Sequence, residues 1–213
     1  MLSRGCREVL LQTTGYPAEQ HEIMMQRISD YVDVITGCNP DIALADFQLR
    51  PPIEQASLYS TLTKLGLPTK MADILYSEYD GQEYGALKLF GEFAMLTFEE
   101  SVTIYKDIVS FAEHEMGHSA DRRIRGETIW RKNWFPFAWD QNNNDHLCLD
   151  FDPTDAGTIG QVIYCPRWGN LFMHGASFPS FLNCYFEKLD KIGCAINGEY
   201  PDEFNCRVNP LES

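Results

Sequence analysis

The chain has 213 residues, 44% of them hydrophobic, with 31 acidic against 17 basic side chains and a formal charge of −14. That length suits one large domain that buries about 70% of its unfolded surface, so disulfide or metal staples are not required. The negative field disfavours nucleic acid and anionic membranes and steers basic partners inward, although acidic surfaces also serve solubility alone.

In chain order, residues 1–17 end in Gly15-Tyr16-Pro17 and read as an arm. From Ala18 to Ile35 the apolar positions follow helical spacing, and Gly37 and Pro40 stop the helix. Met24 and Met25 are core filler in this reading. A second helix fits Ile53–Leu65, closed by Gly66, and a third runs from about Thr69 to Tyr79, closed by Asp80-Gly81 as a C-terminal cap. Ala94–Leu96 is a short strand. Thr97 and Glu100 form a capping box that opens a long helix using Val102, Tyr105, Ile108, Val109 and Ala112. Residues 117–132 read as a helix end and loop.

The centre of the chain holds three strand-type runs, Trp134–Trp139, His146–Phe151 and Ile159–Tyr164, joined by two polar turns. Leu147, Leu149 and Phe151 alternate with Cys148 and Asp150, which predicts an antiparallel meander with one buried and one polar face. The same alternation places Trp134 and Trp139 on opposite faces. Asn170–His174 is a further strand, and Ser177 caps a closing helix through about Lys191, ended by Gly193. Its apolar stripe is Phe181, Leu182, Tyr185, Phe186 and Leu189, and residues 194–213 form a C-terminal extension. The expected fold is a single α+β domain over residues 1–213: N-terminal helices, an antiparallel (mixed) sheet of about five or six strands, and a closing C-terminal helix.

Three blocks in the meander carry a resemblance: Trp134-Phe135-Pro136-Phe137-Ala138-Trp139-Asp140, Asp145-His146-Leu147-Cys148-Leu149-Asp150-Phe151-Asp152-Pro153 and Gly157-Thr158-Ile159-Gly160-Gln161-Val162-Ile163. In this order and spacing the chain resembles the SUKH superfamily. The helix, Gly-Leu-Pro, helix, Asp-Gly pattern extends the resemblance from about Ile53 to Phe181. That family contains Smi/Knr-type regulators of fungal cell-wall assembly and bacterial immunity proteins. The resemblance therefore implies a non-enzymatic protein that binds and neutralises a cognate toxin or effector domain, or alternatively a regulator or scaffold of cell-wall synthesis. It implies no cofactor.

Several motifs bear on chemistry. His114-Glu115-Met116-Gly117-His118 matches H-E-x-x-H, in which two His one helical turn apart hold zinc and the Glu activates water. Against a zinc peptidase, residue 124 is Ile where a third His would fall, and Arg122, Arg123 and Arg125 follow, a surround that disfavours a dication. Asp140-Gln141-Asn142-Asn143-Asn144-Asp145 imitates the start of a calcium loop. It has Asp145 and Phe151 where that loop needs Gly and Glu, so it reads as a hairpin turn. Gly157-x-x-Gly160 leads into a strand and cradles no phosphate. His146 and Cys148 lack a third partner for nucleophilic catalysis.

Asp140, Asp145, Asp150, Asp152 and Asp155 are expected as an acidic patch at one end of the sheet, with Trp139 as an aromatic anchor. Three readings remain open for Asp150 and Asp152: acid–base carboxylates, a partner-binding patch, or carboxylates that cap turns. Trp130, Trp134, Trp139 and Trp168 gather around the meander. Of the seven cysteines, none forms a C-x-x-C pair, and Cys148 and Cys165 read as small core residues. With no apolar run long enough for a signal peptide or a transmembrane helix, a reducing cytoplasm is the expected compartment.

Overall fold

A computed structural model describes residues 27–38, 42–111, 120–128, 130–167 and 169–191. The arm at 1–17, the start of the helix expected from Ala18 (with Met24 and Met25), Ala112, the H-E-x-x-H run at 114–118, Trp168, Gly193 and the tail at 194–213 lie outside them. So do the side chains of Phe186 and Leu189.

Helices α1 (Ile28–Cys38), α2 (Gln55–Leu65) and α3 (Lys70–Leu75) precede strand β1 (Ala94–Met95) and the long helix α4 (Phe98–Phe111). Strands β2 (Trp134–Asp140), β3 (Asp145–Asp150), β4 (Gln161–Cys165) and β5 (Phe172–Gly175) follow, and α5 (Phe178–Lys191) closes the fold. The five strands lie in the order β1-β2-β3-β4-β5, each pair antiparallel. This is the α+β architecture expected. Sequence reasoning missed one element, a 3-10 turn at Leu44–Phe47.

Local chemistry sets the boundaries. Gly66 ends α2 with φ 71°, and its N–H bonds the carbonyls of Leu62 and Thr63. Thr97 and Glu100 form the expected reciprocal cap: the Thr97 N–H donates to Glu100 Oε2 at 2.8 Å and the Glu100 N–H to Thr97 Oγ1 at 3.2 Å. The Ser180 N–H likewise donates to Ser177 Oγ. Helix α3 stops at Leu75, so Asp80-Gly81 is not its cap. Gly81 serves a different end: a Cβ there would meet Thr97 N at 2.4 Å, so only glycine lets residues 80–82 pass beneath the start of α4.

The main core lies between the helices and one sheet face. Phe135, Phe137, Ala138, Leu147, Leu149 and Val162 pack with Tyr31, Val102, Tyr105, Phe181, Leu182 and Tyr185. Phe90 sits at its centre, with ring centroids 5.2–6.4 Å from Tyr31, Phe137, Phe178, Phe181 and Tyr185.

The opposite face is not polar and exposed, as alternation predicts. Every residue of β3 is buried, His146, Cys148 and Asp150 included. A strap of residues 120–128 and 130–131 covers that face and builds a second core from Ile124, Trp130, Trp134, Cys148, Ile163, Cys165 and Leu171. Trp134 and Trp139 also depart from the expectation, because a bulge interrupts β2. Pro136 pairs Cys148 and Ala138 pairs Leu147, so Phe137 is an inserted residue that points into the main core. The insertion restores phase, and Trp134 (opposite Asp150) and Trp139 (opposite His146) share the strap-covered face.

Candidate functional site

The five aspartates do not form one patch. Asp140 pairs Asp145 at the turn end of the β2–β3 hairpin, and Asp150 lies at the other end of β3, opposite Trp134. A strand extends about 3.4 Å per residue, so the two groups sit a full strand length apart. Asp140, Asp145 and Asp150 are buried, and of the five only Asp155 is fully exposed.

Each buried carboxylate has internal bonding partners. Asp140 accepts the Asn142 N–H at 2.9 Å and the Asn143 amide at 2.7 Å, which shapes the 141–144 turn. Asn144 occupies the left-handed region there with φ 58°, and its side-chain oxygen accepts the half-buried Trp139 indole N–H. Asp145 accepts the Arg167 N–H at 2.8 Å and the Tyr164 hydroxyl, tying the hairpin end to the chain after β4.

The other end of β3 fastens the strap. Asp150 accepts the Asp152 N–H and the Gln161 amide, both at 2.9 Å, and the same Gln161 amide reaches the Arg123 carbonyl. The Trp134 indole N–H meets no strict hydrogen-bond geometry yet lies near enough to Asp150 to favour its charge. Burial nonetheless pushes the Asp150 carboxyl up. Asp152 bridges two strap arginines, Arg131 at 2.9 Å and Arg125 at 3.3 Å. Asp121 grips Arg123 within the strap. Burial would raise the Asp121 carboxyl, but the Arg123 hydrogen bonds outweigh that and hold it below the usual range. Gly157 explains the G-x-x-G motif: a Cβ there would stand 2.5 Å from the Arg123 carbonyl oxygen.

His146 and Cys148 are spent on packing. Burial drives the His146 imidazole down to about 4, so it is neutral at pH 7, with its ring edge-on to Trp130 at 5.7 Å. Burial also raises the Cys148 thiol well above its ordinary value, the reverse of an activated nucleophile. Cys148 and Cys165 are the buried core thiols expected. Among the described residues no three His, Cys, Asp or Glu side chains gather as a metal site, and no helix is long and apolar enough to cross a membrane.

Negative charge gathers instead on the helical side. Arg50 pairs Glu83 at 2.8 Å and feels Glu100 and Asp80, while Asp80 in turn feels Glu99 and Glu100. Burial, then these neighbours, raise the Asp80 carboxyl against the pull of the Phe98 N–H and Arg50. Sequence reading used Thr97 and Glu100 only as a helix cap. The bond from the Glu83 N–H to the Gln48 carbonyl, which brings the two loops together, has no local sequence signature.

The fold and these sites define an α+β domain whose buried carboxylates are structural and whose free charge lies outside the sheet. Its family is shown by the sequence: residues 64–184, more than half of the chain, match the SMI1 / KNR4 family (SUKH-1), and the protein belongs to that family. No curated protein matches the chain.

Proposed function

We propose that this protein is a non-enzymatic immunity protein that binds and neutralises a cognate toxin or effector domain in the cytoplasm. Membership of the SUKH-1 family supports a role of this kind or in cell-wall regulation. The observation that carries the non-enzymatic reading is the state of the carboxylates. Asp140, Asp145, Asp150 and Asp152 each accept internal hydrogen bonds or ion pairs, and Asp150 is fully buried, so these four carboxylates serve the fold and not an acid–base pair. The formal charge of −14 favours a basic partner such as a nuclease domain. At the sheet, Trp139, Asp152 and Asp155 are the members of the expected patch with surface left to meet it.

Affinity purification of the tagged protein from its native cells, with mass spectrometry and metal analysis of the eluate, tests this. One stoichiometric partner whose toxicity is relieved by co-expression is the expected result. A partner from cell-wall synthesis with no toxicity would favour the regulator reading. One zinc per chain, abolished by His114→Ala, would replace both with the peptidase.

A further inference from the structure

Three large apolar side chains are exposed among the described residues: Leu44 (53%), Tyr84 (85%) and Ile159 (73%). Leu44 and Tyr84 lie on two loops that bond to each other. The Glu83 N–H donates to the Gln48 carbonyl at 3.0 Å, and the Leu87 N–H to the Asp46 carbonyl at 2.9 Å. We propose that these two loops, residues 43–48 and 82–87, form a docking surface for a basic segment of a partner protein that sets apolar side chains among Lys or Arg. This rests on the binding-protein reading above and names where, and to what chemistry, the binding occurs.

Three observations carry it. The first is rigidity. The buried Gln82 side chain bonds the Phe47 and Leu87 carbonyls and the Leu89 and Met95 N–H groups at 2.7–3.1 Å, fixing both loops to the core. Asp46 closes the 3-10 turn by accepting the Ala43 N–H at 2.7 Å. Tyr84 is therefore presented on a pinned turn, and an aromatic ring held this way loses little entropy on binding. The second is exposure itself. A tyrosine left in water is the anchor chemistry of protein interfaces, and Leu44 on the joined loop adds apolar surface beside it.

The third is charge, which selects the occupant. Glu83, Glu100 and Asp80 act on the Arg50 guanidinium, and Glu99 adds its charge beside Asp80. A basic segment gains from that field, whereas a second copy of this chain, itself at −14, is repelled. The third exposed residue, Ile159, has no such setting: its loop docks on the arginine-bearing strap through Thr154 and Gln161.

The test uses the full chain and a synthetic ten-residue peptide alternating arginine and leucine, read by fluorescence anisotropy. Leu44→Ala with Tyr84→Ala should weaken binding about tenfold or more. Glu83→Lys with Glu99→Lys should remove most of its salt dependence. Ile159→Ala, at the sheet side, should leave affinity within about twofold. Circular dichroism of each variant confirms folding. No peptide binding, or equal losses from the helix-side and sheet-side variants, would overturn the surface. The surface and the immunity reading fail separately. A native toxin partner retained by Leu44→Ala/Tyr84→Ala defeats the surface and leaves immunity standing. Peptide binding that follows the expected pattern, with no toxin partner in native cells, defeats immunity and leaves the surface.

Discussion

The two faces of the sheet are held in different ways. The helix-covered face is almost wholly apolar, and its aromatic cluster around Phe90 needs no polar partner. The strap-covered face mixes Trp130, Trp134 and Cys148 with buried Asp150, Gln161 and Asp121, each satisfied by a named bond. Apolar packing tolerates small shifts and is roughly proportional to area. Buried polar groups stabilise only while every partner is in place, since one missing partner leaves an unsatisfied charge or dipole. The strap is thus the more conditional half of the structure, and it covers His146 and Asp150, whose protonation is shifted by burial.

Either face can be weakened on its own. The largest effect belongs to the helix-covered core: Phe90→Ala removes the ring touching five aromatic neighbours and should cost roughly 3–5 kcal/mol in urea unfolding. A cost under about 1 kcal/mol would show that this core is not organised around Phe90.

Next is His146. Its folded pKa, near 4, lies below the unfolded value near 6.5, so the unfolded chain binds the proton more readily between them. Its contribution is complete above about pH 6.5 and is lost as pH falls towards 4, roughly 3 kcal/mol in all. Asp150 works with the opposite sign, because burial raises its carboxyl and acid relieves it. The quantity to read is therefore the difference between wild type and His146→Gln across pH 4–7. Parallel stability profiles would remove His146 as the source.

The smallest effect sharpens the contrast. Asp152→Ala removes one partner each from Arg125 and Arg131, which keep the Pro153 carbonyl and Glu127; the lost pairs are partly exposed and screened, so the stability loss should be about 1 kcal/mol. Amide exchange should rise across residues 121–131 while Leu147 and Leu149 stay protected. Uniform loss of protection would mean that the two faces open together.

How much was legible follows from where each signal resides. The alternation of Leu147 and Leu149, the Thr97/Glu100 cap, the Gly66 stop and the Asn-rich turn are local, set by period and backbone preference, and the structure has them as read. The strap, the bulge at Phe137 and the division of the aspartates between two ends depend on contacts between residues far apart in sequence. Polar side chains at Asp150 and Gln161 look like a solvated face, because sequence shows a side chain's polarity and not the partner that satisfies it.

The helices, the antiparallel meander and membership of the family are readable in the chain, since each rests on spacing within tens of residues. Which carboxylates are buried, which aromatics share a face and which loops meet beside Tyr84 follow from the folded arrangement alone. Burial and electrostatic environment are properties of neighbours, and most of those neighbours arrive from distant parts of the chain.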